Sequence, residues 1–148
     1  MIRADQRQCY WNINFVPALK EGQVVSYRYR QKTLPGAFAR SLQEMRAHNL
    51  EYEFFSNHVT YPTEKLQIRV TFAPEITPRR IGYDVWLGSG RTRHMGEYAR
   101  VQTDRDFESN RDADNKVYGQ LQVAYPIQGL RYVITWVPEN CLAAGGGK

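Results

Sequence analysis

The feature that most constrains this chain is a strict alternation of apolar and polar side chains that recurs along its length. The pattern is clearest over residues 65–72, where one face carries Leu66, Ile68, Val70 and Phe72. Because successive side chains of a β-strand point to opposite faces, each such run predicts a strand with one buried face. The pattern also occurs at residues 8–15, 25–30, 51–55, 81–87, 97–102, 121–125 and 130–136, which makes about eight strands.

One segment has a different period. Phe38, Leu42 and Met45 are spaced four and three residues apart, which places them on one face of a helix. Gly36 lies just before them beside a proline, which suits a first helical turn, and Asn49 suits the C-terminal cap. These signals predict a single helix over about residues 36–48.

Short connections marked by proline or glycine separate the predicted strands, and no helical crossover joins them. Such a chain favours antiparallel sheets, and a series of short strands is typical of a sandwich or a barrel. We expect residues 61–64 to connect two strands as a hairpin and the polar run 104–115 to be a surface loop. The prediction is an all-β, two-sheet β-sandwich with one inserted helix, and a closed β-barrel is the alternative.

Length and composition fit one domain over residues 1–140, followed by a flexible tail or linker over residues 141–148. The N-terminal residues contain no apolar leader stretch, and the sequence has no apolar run long enough to span a bilayer. Cys9 and Cys141 are the only cysteines, which indicates free thiols in a reducing compartment. We therefore expect a cytoplasmic protein.

The formal net charge is +5, and arginine greatly outnumbers lysine. Clustered cations favour nucleic-acid binding, but these arginines are spread along the whole chain without a basic run. Tyrosine alternates with arginine from Tyr27 to Arg30, so a strand there would place the two residue types on opposite faces. Nucleic-acid binding is an alternative that predicts an affinity falling steeply with salt.

The sequence carries no recognisable pattern of catalytic or metal-binding residues. His48, His58 and His94 are isolated from one another, and no Gly-x-Ser-x-Gly nucleophile motif occurs. The acidic residues between positions 104 and 114 lack the central glycine of an EF-hand loop. We predict no enzyme activity, no metal site and no cofactor.

Residues Gly88 to His94 form a short, basic run that contains two glycines. Backbone N–H groups beside Arg91 and Arg93 suit a phosphate or a carboxylate, although the run lacks the lysine-containing ending of a Walker loop. A barrel that binds a small apolar or anionic ligand is therefore an alternative function.

Three large aromatic residues, Tyr10, Trp86 and Tyr118, fall on strand faces that the alternation places on the outside. Tyrosine, tryptophan and arginine are enriched at the binding hot spots of protein interfaces. We expect these three residues to anchor a protein partner, with Arg91 and Arg93 as charged contacts. The predicted function is non-catalytic protein–protein interaction.

The run Gly129 to Trp136 resembles the closing strand of accessory β domains in multidomain bacterial signalling proteins. The likeness covers eight residues. It implies a regulatory accessory module, whose partner would be another protein, a domain of the same larger protein or a second copy of the chain.

Overall fold

The computed structural model describes residues 18–31, 38–39, 41–74, 76–87 and 105–139. The chain divides into two compact units, residues 1–37 and residues 38–148. In the first unit, the Gln23 N–H donates to the Lys20 carbonyl at 3.0 Å and closes a turn. Residues 23–31 form no strand, so the prediction of a strand at 25–30 is wrong. Alternation assigns faces to side chains, but a strand also needs a partner that accepts its backbone hydrogen bonds.

The second unit is all-β apart from one short helix. Its six described strands are, in chain order, β1 Glu53–His58, β2 Lys65–Thr71, β3 Pro78–Leu87, β4 Arg105–Arg111, β5 Val117–Ala124 and β6 Leu130–Pro138. They form two antiparallel sheets, which we call sheet A (β1-β6-β3) and sheet B (β2-β5-β4). Two open three-stranded sheets confirm the predicted β-sandwich, and neither closes into a barrel within the described residues. The strands predicted at 8–15 and 97–102 lie outside the described residues.

Two predicted connections differ from the structure. Residues 61–64 do not form a hairpin, because β1 belongs to sheet A and β2 to sheet B, so the connection crosses between the sheets. The run 104–115 is not all loop, because it contains the edge strand β4. The sequence shows no alternating pattern for this strand, because Phe107 is its only apolar residue facing the other sheet.

The core lies between the two sheets. Tyr132 and Ile134 of sheet A and Leu121 of sheet B have no exposed surface. Gly119 of β5 marks a close approach of the sheets, because a Cβ atom there would lie 2.7 Å from Cγ2 of Ile81 on β3. Aromatic rings also cross the interface: Tyr83 of β3 lies 5.1 Å from Phe107 of β4, measured between ring centroids.

The helix α1 spans Leu42–Ala47 and is shorter than predicted. It begins late because the Ser41 hydroxyl caps it, while the preceding Ala39 N–H donates to the buried carboxylate of Glu53 at 2.6 Å. Its C-cap is His48, one residue before the Asn49 predicted to cap it, and Asn49 then adopts a left-handed backbone conformation with φ of 53°. None of the helical structure in the described residues has the length and apolarity needed to cross a membrane.

Candidate functional site

Two connections between the sheets lie side by side at one end of the sandwich. Residues 59–64 lead from β1 to β2, and residues 125–129 lead from β5 to β6. Because β1 pairs with β6 and β2 with β5, the two connections extend both ladders and bond to each other. The Gly129 N–H donates to the Val59 carbonyl at 2.7 Å, and the Tyr125 N–H donates to the Glu64 carbonyl at 2.7 Å.

This pair of connections carries three of the four large exposed hydrophobic side chains in the described part of residues 38–148. Tyr61 is 77% exposed, Tyr125 is 72% exposed and Ile127 is 39% exposed. The other large exposed hydrophobic residue of this unit is Leu87, on β3. We call the group Tyr61, Tyr125 and Ile127 the loop-pair surface. Exposed apolar groups gathered at one place are a recognised sign of an interaction site.

The backbone under Tyr125 is strained. Its φ is 47°, in the left-handed region that large side chains rarely occupy. Pro126 follows, and a residue before proline normally has an extended backbone. Such a conformation costs about 1–3 kcal/mol and persists only when the surroundings impose it. Here the hydrogen bond to Glu64 holds the Tyr125 N–H in place.

A core tyrosine holds the other side of the same connection. The Tyr132 ring is fully buried, and its hydroxyl accepts a hydrogen bond of 2.8 Å from the Ile127 N–H. Burial raises the pKa of Tyr132, and the hydrogen bond from Ile127 opposes that shift in part. Gly129, with φ of 88°, completes the turn into β6. The loop-pair surface is therefore a fixed arrangement anchored in the core.

Trp86 was predicted to be an exposed anchor, and this part of the prediction is wrong. The register places it on the face of sheet A that points away from sheet B, as the alternation indicated. Its side chain is nevertheless only 4% exposed. The indole N–H donates to Asp84 at 2.8 Å, and the ring meets that of Phe54 edge-on with centroids 4.8 Å apart. Phe54 belongs to β1 at the opposite edge, so the two rings meet above β6.

Tyr118 lies on the outer face of sheet B, as predicted, and its side chain already has partners. Its hydroxyl donates to Glu108 at 3.1 Å, and the Arg69 guanidinium lies 3.8 Å above its ring. Gln120 joins the group by donating to Glu108 and accepting from Gln67. Desolvation, followed by the hydrogen bond to Glu108, raises the pKa of Tyr118. This polar group is held together by its own hydrogen bonds.

The two predicted site residues that the structure describes do not come together. Tyr118 and Trp86 lie on opposite outer faces of the sandwich. Tyr10, Arg91 and Arg93 lie outside the described residues, as does the predicted anion-binding run 88–94. The described acidic residues of the expected loop are divided between β4 and the turn after it, and the described residues contain no group of three metal-binding side chains.

The loop-pair surface was missed because its residues occur in turns rather than in alternating runs. A signal was present: both connections contain the dipeptide Tyr-Pro, at Tyr61-Pro62 and Tyr125-Pro126. Proline disfavours strand structure in such a segment, so the side chain of the tyrosine beside it is exposed instead of packed in the core. Their closeness in space depends on strand pairing and could not be deduced from either segment alone.

Comparison with known proteins gives no match: no family model, no curated protein and no solved structure is similar to this chain.

Proposed function

We propose that this chain is a non-catalytic protein-binding module whose partner docks on the loop-pair surface. The observation that carries the proposal is the exposure of Tyr61, Tyr125 and Ile127 on two connections that are hydrogen-bonded to each other. Connections at the end of a β-sandwich are frequent binding sites because a rigid scaffold positions them. The regulatory accessory role implied by the resemblance at residues 129–136 is part of this proposal.

The chemistry of the surface suits a protein partner. A tyrosine offers a large, amphipathic contact area and loses little conformational entropy, because it has only two rotatable side-chain torsions. Two exposed tyrosines beside an exposed isoleucine can cover an apolar segment of a partner and also form hydrogen bonds at its rim.

The backbone of the surface is pre-organised for contact. The hydrogen bonds from Tyr125 to Glu64 and from Ile127 to Tyr132 fix the connection before any partner arrives. Pre-organisation lowers the entropic cost of binding, so a larger share of the contact energy becomes affinity. The strain at Tyr125 supports this role, since non-glycine residues in strained conformations cluster at binding and catalytic sites.

Site-specific photo-cross-linking tests the proposal. A photoreactive residue placed at position 61 of the full chain is expected to form one discrete cross-linked product in a lysate of the source cells. The matched control places the same residue at position 114, in the exposed turn between β4 and β5 at the other end of sheet B. Discrete products of equal yield at both positions, or none at position 61, would contradict the proposal.

Binding measurements with the purified partner then give the contribution of each side chain. Tyr61→Ala is expected to weaken the affinity by about tenfold or more, which corresponds to at least about 1.4 kcal/mol. Arg69→Gln, on the polar face of sheet B, is the control and should leave the affinity unchanged.

A further inference from the structure

Two basic residues lie next to the loop-pair surface, on the face of sheet A that points away from sheet B. Arg131 of β6 is directly opposite His58 of β1 in the ladder. Val59, the first residue of the connection after β1, donates its N–H to the Leu130 carbonyl of β6 at 2.9 Å. His58 is therefore adjacent to the connection that carries Tyr61, and Arg131 lies two residues from the connection that carries Ile127.

The Arg131 guanidinium has no anionic partner in the described part of the chain. Its Nε atom is buried and has no hydrogen-bond acceptor there, although the side chain as a whole is only half-buried. Arginine cannot release its charge, so an unpaired buried N–H on this side chain is unfavourable for the free protein.

The Asp84 carboxylate, on the same face of the sheet, already has partners on its own strand. Asp84 lies one diagonal step away in the sheet, because it is opposite Val133. One of its oxygens accepts from the Val85 N–H at 2.8 Å, and the other accepts from the Trp86 indole at 2.8 Å. Both oxygens are thus engaged in holding β3 and its tryptophan.

Arg69, on the outer face of sheet B, has the contacts expected of an arginine with a structural role. Arg69 stacks over the Tyr118 ring at 3.8 Å and lies 3.7 Å from the Asp112 carboxylate. Arg131 has neither kind of contact among the described residues, and the ladder places it between His58 of β1 and Trp86 of β3, neither of which offers a carboxylate.

We infer that Arg131, with His58 beside it, receives a carboxylate from the partner protein that docks on the loop-pair surface. The inference rests on the proposed function and adds the chemistry of the partner: an acidic segment with an apolar side chain close to its carboxylate. A guanidinium matches a carboxylate with two parallel hydrogen bonds, and its two terminal nitrogens supply the donors. The net charge of +5 would also attract an acidic partner.

The test uses a phage-displayed library of random peptides, panned on the full chain and on three single variants. The wild-type chain is expected to select peptides enriched in Asp or Glu near an apolar residue. Arg131→Gln should lose the acidic enrichment and bind the selected peptides about tenfold more weakly, whereas Arg69→Gln should behave as the wild type. Tyr125→Gly should lose binding of the same peptides.

The outcomes separate the inference from the proposed function. Peptides that depend on Tyr125 but lack acidic enrichment, or that bind Arg131→Gln and wild type equally, would overturn the inference alone. A library that yields no peptide dependent on Tyr125 would overturn both. The thermal unfolding midpoint of Arg131→Gln should not fall, because the substitution removes an unpaired N–H; a large fall would show that Arg131 is structural and would overturn the inference.

Discussion

Tyr132 connects the core to the loop-pair surface through a single oxygen atom. Its ring packs between the sheets, and its hydroxyl accepts the Ile127 N–H at 2.8 Å. The residue thus links the packing of β6 to the conformation of the connection that precedes it.

The substitution Tyr132→Phe is expected to destabilise the fold by about 1–3 kcal/mol, because it removes the hydrogen-bond acceptor of the Ile127 N–H. Denaturant unfolding followed by tryptophan fluorescence measures the change. Tyr125→Phe is the matched control, since that hydroxyl is on an exposed side chain, and it should alter stability by less than about 0.5 kcal/mol. Equal effects of the two substitutions would show that the hydroxyl of Tyr132 is not structural.

The raised pKa of Tyr132 also predicts how stability depends on pH. Folding favours the neutral phenol, so the unfolded chain releases this proton first, near its ordinary pKa of 10.0. The stabilisation is fully present below pH 10 and is lost as pH rises through the higher pKa of the folded state. Unfolding free energies measured below and above pH 10 should fall less steeply for Tyr132→Phe than for the wild-type chain. Parallel pH profiles would contradict the assignment.

Tyr125 should show the opposite sign, because its strained backbone favours glycine. Tyr125→Gly is expected to leave the free energy of unfolding unchanged or to raise it by up to about 1 kcal/mol, while partner binding is lost. Gly129→Ala is the comparison: with φ of 88°, it should lower stability by about 1–2 kcal/mol. A marked loss of stability in Tyr125→Gly would mean that the tyrosine side chain supports the fold.

At the scale of elements, the strands with an uninterrupted apolar face could be predicted from the sequence. The cores of β2 and β6 were predicted within two residues, because each has an uninterrupted apolar face. The edge strand β4 could not be recognised, since only Phe107 among its inward residues is apolar. The predicted helix was too long, because the spacing of its apolar residues gives no sign of the hydrogen bond that the Ala39 N–H donates to the Glu53 carboxylate. That bond keeps Ala39 outside the helix.

The error at Trp86 has a different cause. Alternation correctly assigned the side chain to the face opposite Val85, but exposure on that face depends on strand order. Since β6 separates β3 from β1, Phe54 can reach across it and cover the indole. Strand order is a property of the folded chain that alternation does not encode.

Trp86→Ala is therefore expected to destabilise the protein by about 3–5 kcal/mol, because it removes a buried ring that bridges the two edges of sheet A. Leu87→Ala, at the exposed neighbouring position, should cost less than about 1 kcal/mol. Thermal or denaturant unfolding measures both. If Trp86→Ala kept its stability and lost only partner affinity, the original hot-spot interpretation of this residue would be correct.

At the scale of the whole molecule, the two sheets have the same arrangement, in which a late strand lies between two earlier ones. This central strand is β5 in sheet B and β6 in sheet A. The general architecture followed from the sequence, but this pairing did not, because residues 59–64 look like a hairpin turn and actually cross between the sheets. The loop-pair surface depends on the same pairing. Its two Tyr-Pro sequences are 64 positions apart and meet only when both sheets form.

Hydrogen exchange should report this organisation. The amides of β5 and β6 are expected to exchange most slowly among the described strands, because both strands are bonded on two sides and carry most of the fully buried side chains. Amides at the outer edges of β1 and β4 should exchange faster. Equal protection of β1 and β6, measured by native-state exchange under mild denaturant, would contradict the proposed centres of stability.

The central position of β5 and β6 has a consequence for how the chain is made. Each of β1 to β4 pairs only with β5 or β6 among the described strands, and both partners come later in the sequence. During synthesis on the ribosome, the four earlier strands cannot form their sheets until residues 117–138 have been synthesised. Until then, their apolar side chains lack the partners that cover them in the folded protein. We therefore expect the nascent chain to need protection from aggregation until its central strands have been synthesised.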